Sequence, residues 1–194
     1  VRHGFDKAKG WQHQEEFEDS ISTDDYFNQD ETEAYLLWAY YGDNDEGNEV
    51  YAISMNVRPY DGAPGSECPS PNDNIAITWS DDLWEYESGL DSTHGGHISN
   101  ITPVRYGVKA EFNDGAEYTD GDLEGDYYQP TSYFTVGAEK TEPGDHNVYG
   151  HYIHNWTTGC VWGGISISLA FGSVSVSAQG GTDYWKLNDV VTDI

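Results

Sequence analysis

The run Gly164-Ile165-Ser166-Ile167-Ser168-Leu169-Ala170-Phe171-Gly172-Ser173-Val174-Ser175-Val176-Ser177-Ala178 decides the fold class. Ile165, Ile167, Leu169 and Phe171 fall on one side of an extended chain, and Ser166 and Ser168 on the other. Gly172 breaks the pattern, and Val174 and Val176 then alternate with Ser173, Ser175 and Ser177. A period of two is that of a half-buried strand, and two such runs around a glycine predict a hairpin.

Working outward, the same signal recurs. Glu33 to Tyr41 is aromatic and apolar. Tyr51, Ile53, Met55 and Val57 alternate with Ala52, Ser54 and Asn56, and Ile75, Ile77 and Trp79 repeat the pattern. Val104 to Phe112, Tyr127 to Val136 and Val148 to Trp156 are further strand candidates. Pro130 marks a bulge or an edge, and Trp185 lies on a short final strand. Clusters of Gly, Asp, Asn and Pro at 42–48, 59–74, 89–96, 113–125 and 142–145 read as turns. No helical period of useful length and no internal repeat appears. The expectation is an all-β chain, a single β-sandwich or jelly-roll domain of about eight to ten strands over residues 33–194. Residues 1–32 precede it as a polar N-terminal arm, either extended or with a short helix near Gln14 to Ser20.

Charge narrows the setting. The chain carries 35 Asp and Glu against 8 Lys and Arg, a formal net charge of -27. That excess opposes compaction by self-repulsion. The Debye length falls from about 10 Å at 0.1 M salt to about 3 Å at 1 M, so abundant salt relieves it. Disorder is excluded for most of the chain, because aromatic residues make up 14% of it. Low lysine with dispersed Asp and Glu resembles the secreted acidic proteins of haloarchaea. The resemblance is compositional and implies a high-salt, extracellular or cell-surface setting without naming a family. Nucleic acid is excluded as a partner, since phosphate binding needs a basic footprint. No apolar run reaches the roughly 18 residues of a membrane span, and Val1 reads as a mature N-terminus or an artificial boundary.

Cys68 and Cys160 are far apart and form no Cys-x-x-Cys pair. In an oxidising compartment they are expected to form a disulfide, stabilising the fold by about 4–5 kcal/mol in the chain-entropy account. Two sequons, Asn100-Ile101-Thr102 and Asn155-Trp156-Thr157, make Asn100 and Asn155 candidate N-glycosylation sites and an N-linked glycan a candidate partner. Chance also produces such triplets.

The residues offer three kinds of chemistry. Asp43, Asp45 and Glu49 surround Gly47 in a turn that partly resembles a calcium loop, but without its full twelve-residue pattern; an acidic hairpin is the plainer alternative. Asp120, Asp122, Glu124 and Asp126 form a second acidic cluster. Calcium is thus the one possible cofactor, and none is required. His94, His97, His146, His151 and His154 could bind zinc or copper, but His151 and His154 point to opposite faces of a strand. Retaining jelly-roll xylanases have similar size and aromatic content. Trp84-Glu85-Tyr86-Glu87 is the nearest match to their acid-bearing strands and has no second counterpart. No nucleophile elbow, phosphate loop or zinc-protease helix is present.

The function expected from these features is a non-enzymatic structural or adhesive protein, a self-assembling subunit of a surface filament, coat or virion. Its partner is a second copy joined head to tail, or another surface protein. The alternatives are a secreted carbohydrate- or calcium-binding module and a secreted glycoside hydrolase. Arg2, Lys7 and Lys9 concentrate basic charge in the arm, which is expected to leave its own domain and add to a neighbour's sheet edge.

Overall fold

A computed structural model describes residues 6–7, 33–58, 72–79, 83–94, 98–113, 132–144, 146–157 and 163–191. These hold β1 (Asp6–Lys7), β2 (Glu33–Asp43), β3 (Glu49–Arg58), β4 (Asp73–Trp79), β5 (Trp84–His94), β6 (Ile98–Val104), β7 (Gly107–Phe112), β8 (Ser132–Lys140), β9 (Val148–Thr157), β10 (Gly164–Ala170), β11 (Ser173–Gln179) and β12 (Thr182–Val191). The short helix or extended arm expected near 14–20, the bulge or edge at Pro130, the second acidic cluster at 120–126, His97 and both cysteines lie outside the described residues.

Two five-stranded sheets run in the orders β1-β2-β3-β8-β5 and β12-β9-β4-β7-β6, and β10-β11 stand apart as a two-stranded hairpin. All pairs are antiparallel. The sequence β2-β3-β8-β5 opposite β4-β9-β12 is the connectivity of a constant-type immunoglobulin sandwich. Of the two architectures expected, the sandwich is therefore the one formed. The β6–β7 pair widens one sheet, and β10–β11 is inserted between β9 and β12.

Alternation dictates the layers. Leu36, Ile53, Met55, Val57, Phe134 and Val136 from the first sheet meet Ile75, Ile77, Trp79, Val108, Phe112 and Tyr152 from the second, all fully buried. Gly150 on β9 permits this approach. A Cβ there would stand 2.4 Å from Met55 Sδ and 2.8 Å from Leu36 Cγ.

The hairpin forms as its sequence requires, with Ile167 opposite Val176 and Leu169 opposite Val174. Gly172 supplies a left-handed turn at φ 57. It does not join the central core. Ile167 and Val174 pack with Ala76 and Ile153 on the outer face of the second sheet, as a third layer. Phe171, at the tip, is 47% exposed and lies 4.1 Å from the Tyr106 ring.

Several boundaries differ from expectation. The region 89–96, read as a turn, is strand as far as His94. It is irregular, because the register of β5 on β8 shifts between Glu87 and Ser92. The single strand expected from Val104 to Phe112 is a strand end, a two-residue turn at 105–106 and a new strand. The short strand expected around Trp185 spans ten residues and pairs along its whole length with β9.

Candidate functional site

The edges of the two sheets set what this sandwich can bind. On the outer side of β2, Asp6 pairs with Trp38 and Lys7 with Leu37. The start of the arm thus adds as a strand to its own sheet; Arg2 and Lys9 lie outside the described residues. Beyond this short pairing, Tyr40 is 39% and Tyr41 58% exposed. Tyr40 donates to Asp43 Oδ1 at 2.5 Å, which raises the tyrosine pKa. Behind the edge, the rings of Trp38, Tyr51 and Trp84 meet edge-on at 5.9 and 5.6 Å. An aromatic spine therefore backs the position where β1 sits.

The other sheet has an irregular edge. β6 carries a register shift between Ser99 and Thr102, a positive φ of 53 at Asn100, and Pro103. Bulges and proline on an edge hinder pairing with a further strand. At the far side of the first sheet, β5 bulges where the Tyr86 hydroxyl donates to Asp91. Burial first, then that bond, pushes the Tyr86 pKa up to about 12.

The acidic turn Asp43–Glu49 is braced by its own hydrogen bonds. Asn44 Oδ1 accepts from the backbone N–H groups of Glu46 and Asn48, at 3.0 and 2.9 Å. Glu49 accepts from the Tyr51 hydroxyl at 3.0 Å and lies 3.6 Å from Lys140 Nζ. Asp43, Asp45 and Glu49 do not converge, and among the described residues no group of three or more His, Cys, Asp and Glu side chains forms a cation site. Asp43 instead accepts from the Tyr40 hydroxyl, and Glu49 is engaged by Tyr51 and Lys140.

The histidines on β9 separate as the strand period demands. His154 turns inward to Asp73, and His151 outward. The Asp73 carboxylate accepts from the Tyr152 hydroxyl at 2.5 Å, His154 Nδ1 at 3.0 Å, and the Asn155 backbone N–H at 2.9 Å. This constellation has the residue types of acid–base chemistry, and Asp73, Tyr152 and Asn155 are fully buried. It fastens β4 to β9. His151 lies between Thr78 Oγ1 at 2.9 Å and Asn188 Oδ1 at 2.6 Å. Burial lowers its pKa to about 4, against the raising effect of the Asn188 bond and with a smaller lowering from Lys186. Sequence reasoning missed both networks, because only strand pairing brings Asp73 to His154 and Thr78 to His151.

Within Trp84–Glu87, Trp84 is buried and Glu85 exposed. Glu85 is the cross-strand neighbour of Glu139. These two acids lie side by side on one sheet surface. The sequons also part company: Asn100 is exposed on β6, and Asn155 is buried on β9. The strands that flank Cys68 and Cys160 in sequence, β4 and β9, are hydrogen-bonded neighbours.

No protein-family model and no curated protein matches the chain. Among solved structures, the full-length major pilin RrgB from Streptococcus pneumoniae aligns at 10% identity with TM-score 0.37, covering 100% of this chain and 38% of that one. A second structure, of the pilus backbone RrgB from the same organism, aligns at 11% identity with TM-score 0.35, covering 100% of this chain and 51% of that one. The chain therefore spans about half or less of these pilin chains, and at such TM-scores no property of the pilin carries over.

Proposed function

We propose that the protein is an extracellular structural subunit that self-assembles at high salt by passing its N-terminal arm to the β2 edge of a neighbouring copy. The observation that carries this reading is the pairing of Asp6 and Lys7 with Trp38 and Leu37, which makes the β2 edge a strand acceptor. Strand addition draws affinity from main-chain hydrogen bonds. An element that docks in its own fold can dock identically in another copy, and this exchange is a low-cost route to assembly. Residues 8–32 of the arm link Asp6–Lys7 to the body. Fully extended at roughly 3.3–3.6 Å per residue, that stretch spans up to about 90 Å, enough to reach a neighbour. Because donor strand and acceptor edge are different surfaces, the contact is head to tail and gives an open polymer when its rotation does not close.

The composition supports the setting. With a net charge of -27, two copies repel strongly in dilute salt. At molar salt that repulsion is screened within about 3 Å, so assembly is expected to require salt. The β5 and β6 edges are irregular, whereas β12 is a regular edge; what favours β2 as the acceptor is the strand it already takes at Trp38 and Leu37.

The test is light scattering and electron microscopy of the full chain and of a variant lacking residues 1–10, both in about 3 M NaCl. The full chain should form regular polymers, and the deletion should remain a folded monomer. Polymers that persist without the arm, or a full-length chain that stays monomeric near 21.6 kDa, would sink the proposal.

A further inference from the structure

We infer that Asn100 is a glycosylated position and Asn155 is not, and that the Asn100 glycan shields the β6 edge from pairing. The inference rests on the extracellular reading above and deepens it by saying which edges stay closed.

The two sequons have identical chemistry and opposite surroundings. Asn100 sits at the bulge of the outermost strand of its sheet, exposed, with φ 53. Its side-chain Nδ2 donates to Glu111 Oε2 at 2.9 Å, and no second acceptor engages that amide among the described residues. The Thr102 hydroxyl, the third residue of the sequon, donates to the Asn100 carbonyl at 2.9 Å and so belongs to the same small turn. Asn155 has no exposed surface. Its Nδ2 donates to the Asn72 carbonyl at 2.8 Å and to Asp73 Oδ1 at 3.3 Å, so both of its hydrogens are engaged. A sugar there would have to break the fastening of β4 to β9.

The transfer balances with a lipid-linked oligosaccharide phosphate as donor. Asn100 Nδ2 forms a bond to the anomeric carbon. The bond from that carbon to the phosphate oxygen breaks, and its electron pair leaves on the lipid phosphate. One amide proton passes to base. The second amide hydrogen remains, so the product can keep its bond to Glu111. A hydrated sugar at this bulge stands beside Ser99, Thr102 and Pro103 on the exposed strand, where a second sheet would otherwise approach. It completes the edge protection that the bulge and proline begin.

The experiment secretes the full chain from a host that glycosylates a co-expressed sequon-bearing reporter, and measures intact mass. Alongside it go Asn100→Gln and Thr157→Val, the latter removing the second sequon without touching the Asn155 amide. The wild type and Thr157→Val should carry the same glycan mass, and Asn100→Gln should lose all of it. Glycan retained on Asn100→Gln, or a bare wild type beside a modified reporter, overturns the assignment. Light scattering at high salt reads the second half: Asn100→Gln should give larger, laterally associated particles, and an unchanged size distribution overturns the shielding role. The mass measurement does not depend on polymer formation, so it can fail or succeed independently of the arm-deletion test.

Discussion

Glu85 on β5 and Glu139 on β8 stand directly opposite each other in an antiparallel register. Like charges in that position repel. Glu139 is further held by Asn48 Nδ2 at 2.6 Å, which limits its freedom to turn away. The pair expresses, at one rung of one sheet, the charge excess of the whole chain.

Replacing Glu85 by Lys should therefore stabilise the fold in dilute salt, by on the order of 0.5 kcal/mol. The gain should fade as salt rises, because screening removes the repulsion that the substitution relieves. Urea unfolding at two salt concentrations checks this. A gain that is the same at both would mean that packing, and not charge, was responsible.

Acid should weaken the protein through His151. The neutral ring is buried between Thr78 and Asn188, and its folded pKa is lowered to about 4 from 6.5. Above pH 6.5 both folded and unfolded states are neutral there, and stability is independent of this group. As pH falls from 6.5 towards 4, only the unfolded chain takes up the proton, and on the order of 3 kcal/mol of stability is lost. His151→Gln should flatten that part of the stability–pH curve. An unaltered slope in the variant would assign the acid sensitivity to other groups.

Asp73→Ala should be among the most damaging single changes. It removes the acceptor for Tyr152, His154 and the Asn155 amide, leaving buried donors without it. A cost of about 3–5 kcal/mol is expected for breaking such a buried pair. Thermal unfolding compared with the near-isosteric Asp73→Asn separates lost charge from lost volume; equal and small effects would contradict the fastening role.

The hairpin offers a graded pair. Ile167 is 6% exposed against Ala76, Ile153 and Val174, whereas Leu169 is only half-buried. Ile167→Ala should cost about 2–5 kcal/mol, and Leu169→Ala clearly less. Chemical denaturation of both variants checks the order. The reverse order would place the β10–β11 layer differently from the packing described.

The hairpin also shows how far sequence pattern reaches. Its strands, its turn at Gly172 and its alternating faces follow from Gly164 to Ala178 alone, because a period of two is a property of the chain. The same holds for β2, β3, β4 and β9, and for the opposite orientations of His151 and His154. Irregular strands were harder to see. β5 runs through Gly89 and Asp91, residues that favour turns, and is held by its ladder to β8 on either side of the bulge. β6 is polar and exposed, with no apolar period to reveal it.

What the sequence determined by itself, then, was the β class, the acidic surface, the absence of familiar catalytic motifs and the existence of two sequons. Each is a property of composition or of neighbours along the chain. Only the tertiary structure decided that the hairpin is a third layer, that Asp73 meets His154, that Asp6 and Lys7 lie on the β2 edge, and that one sequon is exposed while the other is closed. These depend on which strands pair. Pairing joins residues as distant as Asp73 and Asn155, whose contact no local pattern encodes.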